Sequence, residues 1–95
     1  MKRILAPLLL ALALPVTAQA ECYVEYKAKQ DSPLRLHYGI ARLSGGDCPP
    51  KGAAAEALRG RLAQGGWTLL NVVGMSGSEP GDKKKANAGE FYLRY

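Results

Sequence analysis

Hydrophobic and polar residues alternate from Cys22 to Lys29, which is typical of a β-strand with one covered face and one solvated face. Val24, Tyr26 and Ala28 are expected on the covered face. The solvated face is expected to carry Tyr23, Glu25, Lys27 and Lys29.

A second alternating run follows the turn-forming sequence QDSP at residues 30–33. Because the connection is short, the run predicts a second strand that pairs with the first in an antiparallel hairpin. Its covered face is expected to carry Leu34, Leu36, Tyr38 and Ile40, and its solvated face Arg35, His37, Gly39 and Ala41.

The hydrophobic period changes along residues 51–73. Leu58 and Leu62 are one helical turn apart and predict the buried stripe of a helix that begins near residue 51, directly after two prolines. Gly65 is suited to end this helix because glycine reaches the left-handed conformation without a Cβ penalty. From Trp67 to Val73 the residues are bulky or β-branched, which favours a buried strand.

The rest of the chain consists of a polar segment and a short alternating end. Residues 74–89 are rich in glycine and lysine and predict a long loop, and residues 90–95 predict a last strand that pairs with the Trp67 strand. The predicted fold is therefore a two-layer α+β domain, with a mostly antiparallel four-stranded sheet and one helix on one face (ββαββ). The structural core is expected to comprise Leu58, Leu62, Trp67, Leu69 and Phe91.

Residues 1–20 have the features of an export signal rather than of the fold. Lys2 and Arg3 precede an apolar run of about 13 residues, shorter than the roughly 20 that a membrane span needs, and Ala18-Gln19-Ala20 forms a small-x-small cleavage site. We expect cleavage after Ala20, which leaves a single domain of residues 21–95 in the periplasm or outside the cell and no membrane-spanning segment. A lipoprotein anchor at Cys22 is disfavoured because Glu21 precedes that cysteine.

Cys22 and Cys48 are the only two cysteines. An exported chain meets an oxidising compartment, and a disulfide between them is expected to contribute about 3 kcal/mol by constraining the unfolded state. A redox or metal pair is disfavoured, because there is no Cys-x-x-Cys spacing and His37 is the only histidine.

The charge of the chain argues against nucleic acid as a partner. Removing Lys2 and Arg3 from the thirteen Lys and Arg residues leaves eleven, against eight Asp and Glu, so the net charge of the exported domain is only +3.

Catalytic patterns are also missing from the sequence. His37 is expected on a solvated strand face, Glu25 and Glu90 would need a pocket in order to act as a pair, and no phosphate-binding loop or metal-ligand cluster is present. We therefore expect neither an enzyme nor a cofactor.

Two groups of residues are candidates for contact with a partner. Lys83, Lys84 and Lys85 lie in the predicted loop and could attract an anionic surface, although a merely solvated loop explains them as well. Tyr23 and Tyr92, together with Trp67, could form an aromatic patch on the uncovered sheet face. Such a patch would meet an envelope protein or a second copy of the chain, unless the polar residues beside it keep the face wet.

From Leu58 onward the chain resembles small bacterial domains of unknown function in which a helix ends before a Gly-Trp-Glu-Leu-Val-like strand. Beyond Leu58, the residues that carry the resemblance are Leu62, Gly65, Gly66, Trp67, Thr68, Leu69, Leu70 and Val72, then Phe91 to Arg94. The YVEYKAK run of the first strand is also similar to the opening of those domains. Thr68 replaces the usual acidic residue, and the export signal and the cysteine pair are departures from that pattern. The resemblance implies a βαββ core and no assigned activity.

The expected function is a non-catalytic interaction or binding module of the cell envelope. Two alternatives stay open: a small-ligand binder or enzyme inhibitor, and a structural secreted protein without a dedicated ligand. A ligand binder predicts a sizeable apolar pocket near Trp67, whereas an interaction module predicts a flat apolar or charged face.

Overall fold

The computed structural model describes residues 21–95, so the export signal predicted over residues 1–20 lies outside the described residues. Three strands form one antiparallel sheet in the order β2-β1-β3. The elements in chain order are β1 (Glu21–Gln30), β2 (Arg35–Ser44), α1 (Lys51–Gln64), β3 (Thr68–Ser76), α2 (Asp82–Ala88) and a 3-10 turn (Gly89–Phe91).

The α+β class is as predicted, but a four-stranded sheet with one helix is wrong. The predicted last strand is absent from the described part of the chain: residues 89–91 form the 3-10 turn, and Tyr92 makes a single parallel bridge to Ile40 of β2. The physical reason is the second helix, which forms within the predicted loop and delivers the C-terminal residues to the edge of β2 instead of to β3.

The core lies between α1 and one face of the sheet, which we call the α1 face. Alternate residues of β1 from Cys22 to Ala28 are fully buried, as their alternation predicted, and they pack with Leu58 and Leu62 of α1. Trp67 is also buried in this cluster, while Leu69 and Phe91 are half-buried against it. The five residues proposed for the core thus all lie in or against one cluster.

The facing predicted for β2 is wrong. Val24 pairs with Ala41 and Tyr26 pairs with Gly39, so the α1 face of β2 carries the residues that were expected in solvent, namely His37, Gly39 and Ala41. The reason is the bulk of Tyr26: a Cβ at Gly39 would stand 2.4 Å from the Tyr26 hydroxyl oxygen. Only the side of β2 that carries glycine opposite this ring can face the core.

The end of α1 differs in one detail from the prediction for Gly65. The left-handed residue is Gly66, with φ of 82°, while Gly65 keeps φ of −95°. Gly65 is nevertheless needed for close packing, because a Cβ there would stand 2.6 Å from the Tyr95 ring. The amide of Trp67 donates to the carbonyl of Leu62 at 2.9 Å and fixes the turn into β3.

Cys22 and Cys48 form a disulfide with a Cα–Cα distance of 4.8 Å. The bond joins the start of β1 to the loop that precedes α1, so it links the two layers of the core. Within residues 21–95, no helix is long and apolar enough to cross a membrane.

Sequence alone allows two interpretations of Gly60: close approach of α1 to the sheet, or a tolerated exposed glycine. No atom in the described part of the chain lies within 4 Å of a Cβ built at Gly60, which favours the second interpretation. We therefore expect Gly60→Ala to raise the free energy of unfolding by about 1 kcal/mol, because alanine has the higher helix propensity. Urea unfolding of both proteins measures this change. Gly65→Ala is the matched control, expected to destabilise through Tyr95, and a loss of stability in Gly60→Ala would contradict the prediction.

Candidate functional site

The second face of the sheet is only partly covered, by α2, and we call it the α2 face. Its residues alternate with those of the core, so it carries Tyr23, Glu25 and Lys27 of β1. The Nζ atom of Lys84 in α2 donates to Oε2 of Glu25 at 2.9 Å, which places the helix across this face. Ile40, also on this face, is fully buried, so the part of the face near α2 is covered.

The three lysines do not form the mobile loop that was predicted, because all of them lie on α2. Two of them pair with carboxylates: Lys84 with Glu25, and Lys85 with Glu79. Glu25 also accepts a hydrogen bond from the Tyr38 hydroxyl at 2.9 Å. The bond from Lys84 and then that from Tyr38 lower the pKa of Glu25 despite its partial burial, so this carboxylate stays ionised and holds α2 in place.

Lys83, in contrast, makes no ion pair with a carboxylate of residues 21–95. The lysine run therefore offers one uncompensated charge rather than three, which weakens its candidacy as a site for anionic surfaces. The two ion pairs instead have a local structural role, since they fix a short helix whose sequence is otherwise polar.

Tyr23 and Tyr92 do not come together as one aromatic patch. The Tyr23 hydroxyl donates to Glu21 at 3.1 Å, and the ring lines a cleft of about 350 Å³ beneath α2. Tyr92 lies at the outer edge of β2, with Nζ of Lys85 5.6 Å from its ring centroid. Trp67 is on the α1 face, away from both.

The open end of the α2 face contains an apolar groove that no sequence pattern indicated. Leu36 of β2 and Leu70 of β3 line the groove with Lys27, and the two leucine residues are 66% and 50% exposed. The groove has a volume of about 280 Å³, and Tyr38 forms its wall toward α2. We call this set, Leu36, Leu70, Lys27 and Tyr38, the leucine groove. Sequence analysis missed it because Leu36 was expected in the core.

Lys27, in the middle of the groove, has no carboxylate partner among residues 21–95. Tyr38 is fixed by its bond to Glu25, and burial raises the pKa of Tyr38 to about 12, with a further contribution from that bond. The leucine groove therefore combines two exposed apolar side chains, one free positive charge and one rigid aromatic wall.

His37 was predicted to be solvated, and this is wrong: it is only 8% exposed. Its ring stacks on Phe91, with centroids 3.7 Å apart and planes at 9°, and meets the edge of Trp67 at 4.3 Å. The Tyr26 hydroxyl and Nε2 of His37 are 2.9 Å apart and share a hydrogen bond. The register that turns Gly39 inward also turns His37 inward, since the two residues alternate in the same strand.

The electrostatics of this aromatic cluster favour neutral groups. Burial lowers the pKa of His37, against an opposing contribution from the Glu90 carboxylate, and burial raises the pKa of Tyr26 to about 12. Both groups are therefore uncharged at neutral pH. Nδ1 of His37 is buried and has no hydrogen-bond partner among residues 21–95.

A catalytic or ligand-binding pocket receives little support from this geometry. Glu25 and Glu90 take different partners, on α2 and beside His37, and are not paired with each other. No group of three or more His, Cys, Asp or Glu within residues 21–95 is arranged to hold a metal ion. The two clefts beside Trp67 measure only about 230 and 180 Å³, below the size usual for ligand pockets, roughly 300 Å³ and above.

No family model, no curated protein and no solved structure matches the chain. The resemblance to GWELV-like bacterial domains accordingly stays a prediction.

Proposed function

We propose that the protein is a non-catalytic interaction module of the cell envelope that docks a protein partner on the leucine groove. The observation that carries the proposal is the pair of exposed leucines, Leu36 and Leu70, which line one groove at the end of the sheet face that α2 leaves open. Singly exposed apolar residues are common, but two leucines that line the same groove form a contiguous apolar patch of the kind that marks contact surfaces.

Covering the groove would supply part of the energy of a specific contact. Fully burying a leucine side chain contributes about 1.5–3 kcal/mol, so covering two half-exposed leucines contributes about 2–3 kcal/mol in total. The wall formed by Tyr38 adds an aromatic contact of the type that dominates binding hot spots.

The groove also needs little reorganisation in order to bind. Its residues lie on three hydrogen-bonded strands rather than on loops, and the central strand is tied to the rest of the core by the disulfide. Because a preformed site loses little conformational entropy on binding, more of the contact energy appears as affinity.

The charge in the groove indicates the chemistry of the partner. Lys27 would be covered on docking, and a buried ammonium group requires a carboxylate within hydrogen-bond reach. A partner segment with apolar side chains on both sides of an Asp or Glu fits these requirements. A homodimer through the same face fits poorly, since a two-fold interface would bring two Lys27 side chains together.

The disulfide supports an oxidising location, either the periplasm or the extracellular space, because such bonds persist there and are rare in the cytosol. The export signal predicted for residues 1–20 agrees with this location. Within this proposal, the lysines of α2 are a structural support for the face rather than the contact itself.

The test is crosslinking and affinity capture of the exported protein from intact envelope, followed by calorimetry with the purified partner. We expect Leu36→Ser with Leu70→Ser to weaken binding at least thirtyfold, which corresponds to the loss of about 2 kcal/mol or more. Val73→Ser is the matched control, because Val73 is an exposed apolar residue of β3 that does not line the groove. Equal binding by the groove variant and the control would show that the partner docks elsewhere.

A further inference from the structure

The C-terminal residues Phe91–Tyr95 form a strap that passes around the outer edge of β2. Tyr92 bridges to Ile40, and the amide of Leu93 donates to the carbonyl of Ile40 at 2.7 Å. On the α1 side, the rings of Phe91 and Tyr95 lie against His37, with centroid distances of 3.7 and 6.2 Å. One backbone hydrogen bond at the edge and one aromatic cluster therefore hold the strap.

The attachment includes an unfavourable backbone conformation. Leu93 has φ of 57°, in the left-handed region that residues with a Cβ rarely adopt. The contacts on either side of Leu93 must compensate for this conformation, and the stack of Phe91 on His37 is the tightest of them. The strap is thus sensitive to any change at His37.

The surroundings of His37 suit the neutral imidazole and not the imidazolium ion. A neutral ring has one N–H and one acceptor nitrogen, and Nε2 already shares its hydrogen bond with Tyr26. In the imidazolium ion both nitrogens carry protons, and Nδ1, which is buried, would have no acceptor. Because Nδ1 has no partner among residues 21–95 in either state, the cost of protonation is chiefly the charge that it places inside the cluster.

Charged and titratable groups from every neighbouring element enter this balance. Tyr26 of β1 is held neutral by burial, and Glu90 of the 3-10 turn favours the imidazolium ion. Arg35 of β2 and Arg94 of the strap line the cleft beside Glu90, together with Tyr95, whose ring centroid is 6.2 Å from that of His37. The guanidinium carbon of Arg94 lies 6.0 Å from the Phe91 ring centroid and 5.8 Å from that of Tyr95. Glu90 is exposed and is the single acidic group in this set, so it does not compensate for the loss of water around His37.

We propose that the strap is an acid-sensitive latch: protonation of His37 releases residues 91–95 from the aromatic cluster and uncovers the outer edge of β2. This inference is independent of the leucine groove, which lies on the other face of the sheet. In the released state His37 has water around it, Leu93 leaves its left-handed conformation, and the core beneath α1 stays folded.

The direction of the pH effect follows from which state binds the proton more tightly. The pKa of His37 is lowered below 6.5 when the strap is docked and returns toward 6.5 when the strap is released. The equilibrium constant for closing the latch is therefore greatest above pH 6.5. Its closing equilibrium falls by about tenfold per pH unit between 6.5 and the pKa of the docked state, and it becomes constant below that pKa.

Nuclear magnetic resonance tests the latch directly, since the protein has a single histidine and the imidazole signal is unambiguous. We would measure the hydrogen-exchange protection of the Leu93 amide from pH 8 to pH 5, corrected for the intrinsic exchange rate, together with an amide in the centre of β1. The expected result is that Leu93 loses up to tenfold in protection per pH unit below 6.5, in step with the titration of His37, while the β1 amide keeps its protection.

Two variants make the result specific. His37→Phe keeps a ring on Phe91 but cannot take up a proton, so its Leu93 protection is expected not to change with pH. Glu90→Gln removes the exposed carboxylate that favours the imidazolium ion, so the docked-state pKa falls further and Leu93 loses more protection at pH 5 than in the natural sequence. Protection of Leu93 that is constant from pH 8 to pH 5 in the natural sequence would overturn the proposal. The same acid loss in His37→Phe as in the natural sequence would also overturn it.

Discussion

Replacing Cys22 and Cys48 together with alanine is expected to lower the free energy of unfolding by about 3.5 kcal/mol or slightly more. The two residues are 26 positions apart, and closing a loop of that length removes conformational entropy from the unfolded chain, which raises its free energy by about this much. Such a loss is a large fraction of the total stability of a small domain, about 5 kcal/mol at the lower end of the usual range. Urea unfolding at neutral pH, followed through Trp67 fluorescence, measures the difference.

Reduction of the natural protein provides the control for this experiment. Reduction opens the loop but keeps both sulfur atoms, whereas the alanine pair also removes the buried sulfur of Cys22. We therefore expect the reduced protein to lose slightly less stability than the variant, by about 1 kcal/mol or less. A loss below about 1 kcal/mol in both would show that the unfolded chain is already compact, so that closing the loop adds little constraint.

The elements that local sequence signals predicted well are β1, α1 and the start of β3. In β1 the alternation is clear, because three of the solvated positions are charged and the covered positions between them carry no charge. At the end of α1 the Gly65-Gly66-Trp67 sequence marks the change from helix to strand, and the structure places the boundary there. These signals need only neighbouring residues, so one sequence suffices.

The facing of β2 could not be predicted in the same way, because both of its faces are partly apolar. Leu36, Tyr38 and Ile40 outweigh Gly39 and Ala41 in hydrophobicity, and a pattern based on bulk therefore selects the wrong face. The structure selects by volume instead, since the neighbouring strand already fills the space with Tyr26. A slip of one residue reverses every side chain of a strand, so this single contact places His37 inside and Leu36 outside.

The C-terminal quarter was mispredicted because its stability comes from distant residues. The helix α2 has a polar sequence with one buried residue, Ala88, and no pattern that would indicate a helix. It is held by the ion pair of Lys84 with Glu25, which is 59 positions earlier in the chain. The leucine groove was missed for the same reason, since its position depends on the facing of β2 and on how far α2 extends over the sheet.

Because Tyr26 fills the space in front of Gly39, Gly39→Ala is expected to destabilise the protein by about 3 kcal/mol. A methyl group at Gly39 would stand 2.4 Å from the Tyr26 hydroxyl oxygen and 2.5 Å from the ring carbon that carries it. Tyr26 is fully buried and cannot move aside without strain, and overpacking of this kind costs about 1–3 kcal/mol. Moving the ring would also break its hydrogen bond to His37, which costs about 1 kcal/mol more.

A double-mutant cycle with Tyr26→Leu separates this contact from a general intolerance of alanine at position 39. Tyr26→Leu alone is expected to destabilise through the lost ring and the unpaired imidazole, but it removes the atoms that the new methyl group would meet. In that background Gly39→Ala should cost less than about 1 kcal/mol, since alanine restricts the unfolded chain more than glycine does. A coupling energy of about 2 kcal/mol or more would identify the Tyr26 ring as the reason for glycine at position 39. Equal costs in both backgrounds would mean that another constraint sets the facing of β2, and the burial of His37 and the exposure of Leu36 would then need a different explanation.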